Sequence, residues 1–79
     1  MNQTLYLELA KYVSDTVPNY ETRVQLVLDR MQFNRASLQF CDFSLYSEMC
    51  TAVQEYLTEN MIDVEFEDID IEEVLFTVI

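Results

Sequence analysis

Apolar positions in the first third of the chain recur at helical intervals. Leu5, Leu9, Tyr12 and Val13 form a stripe widened by Tyr6, Ala10 and Val17, which predicts a helix over residues 3–16. Pro18 disfavours helical backbone at the residue before it and closes this element. Asn19 is placed to cap a second helix reaching about residue 32, with a stripe of Tyr20, Val24, Val27, Leu28 and Met31 and with Arg23, Asp29 and Arg30 off it. A connection over residues 33–43 leads to the clearest stripe, Tyr46, Met49, Cys50, Val53 and Leu57, in a third helix opened by Ser44 and ending near Asn60.

The period then changes. Ile62, Val64 and Phe66 alternate with Asp63, Glu65 and Glu67, the two-residue repeat of a half-buried strand. Ile69 and Ile71 fall on the opposite parity, so the chain must turn or bulge near Glu67 and Asp68. Residues 74–79 are β-branched, aromatic and uncharged apart from one leucine, and a strand is the preferred reading. The expected fold is therefore α+β, a three-helix small domain with a short C-terminal antiparallel β-pair. The alternative is an all-α four-helix bundle with a short final helix, because Asp70 and Glu73 have capping-box spacing and Ile71, Val74, Leu75 and Val78 have helical spacing.

The chain contains no glycine. Helices commonly end on a left-handed residue, usually Gly and next most often Asn. Asn19, Asn34 and Asn60 each follow a predicted helix end, which supports the three boundaries.

Length and charge narrow the picture. With 79 residues the chain makes one small domain, and a chain of that size buries only about 60% of the surface its unfolded form exposes. Hydrophobic residues are 51% of the total, enough to fold against a net charge of −11. The charge is regional: residues 55–79 carry nine of the fifteen acids and no base. Seven of these stand in one stretch: Asp63, Glu65, Glu67, Asp68, Asp70, Glu72 and Glu73. Such a surface repels nucleic acid and anionic lipid and draws in basic protein surfaces. No positively charged start leads into an apolar run, and residues 74–79 are too few to cross a bilayer, so a soluble, cytoplasmic chain is expected.

Without histidine or glycine the chain cannot hold a Walker loop, a dinucleotide fingerprint, a nucleophile elbow, a zincin helix or a serine-histidine triad. Cys41 and Cys50 are too few for a structural zinc site within one chain, and neighbouring acids Asp42 and Glu48 disfavour a thiolate. Asp68, Asp70 and Glu72 have the D-x-D-x-E opening of a calcium loop, but Glu73 replaces its glycine and Ile79 its final glutamate. Carboxylate pairs for sugar hydrolysis need a cleft that so small a chain can scarcely build. The four bases all lie within the first 35 residues and rule out the basic face of a helix-turn-helix DNA reader. The five tyrosines, on helical stripes, read as core edges more than as an interface palette.

These exclusions leave no expected catalytic residue, cofactor or metal. The reading that remains is a non-enzymatic, acidic protein-interaction module or small inhibitor, with the seven carboxylates from Asp63 to Glu73 as its partner-binding residues. Carboxylates two residues apart on a strand stand about 6.6 Å apart, a ladder that suits a basic nucleic-acid-binding protein, with the acids where phosphates would lie. Three readings compete with it: an acid run that merely keeps an exposed edge soluble, assembly through strand addition by residues 74–79, including a homodimer, and loose divalent-cation binding.

Overall fold

The computed structural model describes residues 3–31 and 42–77, except for the Met31 side chain. Gln32, Asn34, Arg35, Cys41, Val78 and Ile79, with most of the expected 33–43 connection, lie outside the described residues. Those described contain four α-helices and no strand: α1 (Gln3–Thr16), α2 (Tyr20–Met31), α3 (Phe43–Glu59) and α4 (Ile71–Thr77). A 3₁₀ turn, Phe66–Asp68, lies between α3 and α4. The all-helical alternative thus replaces the α+β expectation.

The corner between α1 and α2 follows the sequence closely. The Val17 N–H still donates to the Val13 carbonyl at 2.9 Å, and Pro18 follows. Asn19 takes the left-handed conformation, φ 55°, which its short polar side chain tolerates better than most. Its carbonyl accepts from the Arg23 N–H at 3.0 Å and so opens α2.

Helix α3 begins one residue earlier than Ser44, at Phe43, because Asp42 is its cap. Asp42 Oδ1 accepts from the Leu45 N–H at 2.8 Å, satisfying one of the donors that a helix start leaves open. Its buried face is Leu45, Met49, Ala52, Val53 and Leu57, whereas Tyr46 and Cys50 are only half-buried at its edge. The other end corrects the expectation for Asn60. Asn60 keeps φ −96° and spends its side-chain amide on the Tyr56 carbonyl at 2.9 Å. Met61 takes the left-handed position instead, φ 53°. Its N–H donates to Thr58 O at 3.3 Å and the Ile62 N–H donates to Leu57 O at 3.0 Å, the paired bonds of a Schellman ending.

Residues 62–65 form no helix and pair with no strand among the described residues, and Glu65 has extended backbone where it leads into the next turn. The expected turn near Glu67 and Asp68 is the 3₁₀ turn, closed by Asp68 N–H to Glu65 O and Ile69 N–H to Phe66 O, both 3.0 Å. Beyond it the chain is helical where a strand was expected. Asp70 Oδ1 accepts from the Glu73 N–H at 3.2 Å and its carbonyl accepts from the Val74 N–H at 3.1 Å. Ile71, Val74 and Leu75, at i, i+3 and i+4, then point together into the core, Val74 and Leu75 with no exposed surface. A strand would have sent Val74 and Leu75 to opposite faces. Burying both is worth about 1.5–3 kcal/mol per side chain, more than the β preference of Val and Ile, which spans about 1 kcal/mol.

One apolar cluster joins all four helices. Leu9 and Val13 of α1, Leu45, Met49 and Val53 of α3, and Val74 and Leu75 of α4 are fully buried, with Tyr20, Val24, Val27 and Leu28 of α2 completing it. α1 packs against both α3 and α4. No described helix is long and apolar enough to cross a membrane.

Candidate functional site

The seven predicted acids fall into two groups rather than one ladder. Asp63 and Glu65 are exposed on the connection over residues 62–65, and Glu67 and Asp68 are exposed in the 3₁₀ turn. Asp70 caps α4, and Glu72 and Glu73 are half-buried in its first turn, where the helix dipole favours negative charge. The carboxylates of the first group make no hydrogen bond or ion pair among the described residues. The regular 6.6 Å spacing disappears with the strand, since a turn and a helix start divide the run.

No described base neutralises that first group. Arg23 is held at the start of α3, where Nη1 meets Glu48 Oε2 at 2.5 Å and Nη2 lies 3.9 Å from Asp42 Oδ1. Nη2 also donates to Ser44 Oγ at 3.3 Å, and Ser44 Oγ donates on to Glu48 Oε2 at 3.4 Å. The network ties α2 to α3 and gives its charge to acids of the N-terminal two thirds. Lys11 and Arg30 are exposed on α1 and α2.

Asp68, Asp70 and Glu72 sit on a turn, a cap and a helix, and no group of three Cys, Asp or Glu side chains converges to hold a metal ion among the described residues. Burial pushes the Cys50 thiol above its usual pKa, away from the thiolate that nucleophilic or redox chemistry needs. The tyrosines brace the fold. Tyr56 Oη donates to Glu8 Oε2 at 3.0 Å, and its ring tilts against Tyr12 at 5.3 Å.

The chain matches no protein family, no curated protein and no solved structure.

The structure adds a feature that the sequence reading did not include. Leu57, Ile62, Val64 and Phe66, with Gln54 and Thr58, line a groove of about 280 Å³ between the end of α3 and the connection that follows it. The signal was present in the alternation of Ile62, Val64 and Phe66, which read as the inner face of a strand. Those residues instead flank an open groove, and Val64 remains 37% exposed.

Proposed function

We propose that this protein is a non-enzymatic, acidic interaction module, or a small inhibitor, that engages a basic surface of a partner protein through its C-terminal carboxylates. One observation carries the reading: Asp63, Glu65, Glu67 and Asp68 are exposed and have no cationic partner among the described residues, in a region of 25 residues without a base. Four uncompensated charges on a short segment create a field that steers cations and Lys- or Arg-rich surfaces inward and turns anionic ones away. Asp70, Glu72 and Glu73 lend charge to the same end while serving the start of α4. A basic nucleic-acid-binding protein is one partner of this kind. Its match to these acids rests on charge and size, the regular ladder being absent.

A C-terminal strand is not available for assembly among the described residues, because residues 74–77 belong to α4 and Val74 and Leu75 are inside the core. The proposal is tested by immobilising the protein, passing nuclease-treated cell lysate over it and eluting with rising salt. The expected result is a basic protein recovered by the wild type and lost by the variant Asp63→Asn/Glu65→Gln/Glu67→Gln/Asp68→Asn. Recovery of the same proteins by the variant refutes the reading.

A further inference from the structure

We infer that the pocket where the Thr16–Pro18 corner meets α3 receives a lysine or arginine side chain of the partner protein, its stem on an apolar floor and its cationic head at Glu55. The inference rests on the acidic-interaction reading and adds a seat for one of the partner's basic groups.

The pocket holds about 200 Å³ and is more apolar than polar in its lining. One wall is the corner after α1, and the other is a single face of α3, where Glu48, Thr51, Ala52 and Glu55 stand at i, i+3, i+4 and i+7. Val17 and Ala52, 4% and 2% exposed, make the floor, with exposed Pro18 beside them. A methylene stem laid there is removed from water while its polar end stays close to it, the arrangement that Lys and Arg side chains adopt on apolar surface.

The polar groups around this floor select a cation. Of the two carboxylates that line the pocket, Glu48 is already paired with Arg23. Glu55 is exposed, and its carboxylate makes no hydrogen bond or ion pair among the described residues. The head is therefore assigned to Glu55. Thr51 Oγ1 donates its proton to the Ser47 carbonyl at 3.1 Å, so it offers the pocket lone pairs and no donor. The third contribution is the end of α1. Thr16 closes that helix and lines the pocket, and the last turn contains no basic residue to balance the negative end of the helix dipole. No base lines the pocket. An occupant that only donates and carries positive charge is complementary to this set, and an anionic one is repelled.

The test follows the amide NMR spectrum of the full chain during titration at low salt with the N-acetyl methylamides of lysine, arginine and norleucine, the last having the lysine stem without its charge. Saturable shifts at Val17, Thr51, Ala52 and Glu55 are expected with either cationic probe and not with norleucine. Glu55→Gln, shown by circular dichroism to retain its helices, should weaken binding about fivefold, the factor that corresponds to about 1 kcal/mol for an exposed ion pair. The variant Asp63→Asn/Glu65→Gln/Glu67→Gln/Asp68→Asn should leave these shifts in place. An equal response to norleucine overturns the inference, because the pocket then takes an apolar stem whatever its charge. Shifts confined to residues 63–68 and indifferent to Glu55→Gln also overturn it, and leave the acidic-surface reading standing. Absence of a saturable shift with both cations overturns the inference as well, whereas the reading itself falls only if the fourfold variant recovers the same proteins from lysate.

Discussion

Tyr6 Oη accepts a hydrogen bond from the Asp70 backbone N–H at 3.0 Å, joining α1 to the start of α4 across 64 residues of sequence. In a capping box the N3 side chain reaches back to this N–H. Here a buried tyrosine of another helix takes the bond, so α4 is fastened to α1 at the residue that caps it. Tyr6→Phe keeps the ring packing and removes the acceptor, and is expected to cost about 1 kcal/mol. Urea unfolding of the two proteins measures it. An unchanged midpoint would show that water replaces the tyrosine at no loss.

Tyr20 is the opposite case, a buried hydroxyl with no hydrogen-bond partner among the described residues. Burial raises its pKa above the usual 10.0, so the native state holds a proton that the unfolded chain releases. By linkage, the stability attached to this group is complete below pH about 10 and is lost as pH rises beyond it towards the native pKa. Tyr20→Phe removes the unsatisfied hydroxyl and is expected to stabilise the protein at neutral pH by about 0.5–1 kcal/mol. It should also make the alkaline decline shallower. Parallel unfolding curves at pH about 7 and about 10.5 check both. A variant that is less stable at neutral pH, with an undiminished alkaline decline, would contradict this account.

Met61 carries the left-handed position at the end of α3 with a side chain that is 90% exposed. A left-handed non-glycine residue costs roughly 1–2 kcal/mol, offset in part by the greater freedom that Gly gives the unfolded chain. Met61→Gly is expected to raise stability by about 0.5–1 kcal/mol, and Met61→Val to lower it because its branched Cβ fits that conformation worst. Thermal unfolding ranks the three. The reverse order would mean that α3 ends differently in solution.

Asp42 serves both as the α3 cap and as one of the acids around Arg23. Asp42→Ala is expected to cost about 1 kcal/mol through the lost cap. Asp42→Asn retains a capping oxygen and loses only a long, solvent-screened ion pair, worth about 0–1 kcal/mol. If Asn proves as damaging as Ala, the charge rather than the cap is the greater contribution.

The three long helices were legible because their apolar stripes are amphipathic over several turns, and Asn19 was legible because proline and an αL-tolerant residue leave the corner few conformations. The last helix was harder to read. Ile62, Val64 and Phe66 do alternate with exposed acids, but the chain there is a connection that pairs with no strand among the described residues. Periodicity records which side is covered, not whether a neighbouring strand exists. Val74 and Leu75 have the composition of a strand, yet the Asp70 cap and the cover provided by α1 select the helix. Both signals for it, the capping-box spacing and the i, i+3, i+4 pattern, were local, while the packing that selects the helix comes from α1 and α3, far away in the sequence. The acids were visible as a cluster in sequence, but their division into an exposed group and a helix-starting group depends on the turn at Phe66–Asp68.

The most direct test of the acidic-interaction account is the affinity of the captured basic partner for the wild type and for the variant lacking the Asp63, Glu65, Glu67 and Asp68 charges, measured from about 0.1 M to about 1 M salt. Over that range the screening length falls from about 10 Å to about 3 Å. The account predicts that wild-type affinity falls steeply with salt and that the variant, equally well folded, binds weakly throughout with little salt dependence. Equal affinities for the two proteins would contradict it and leave those carboxylates with no role beyond keeping the surface hydrated.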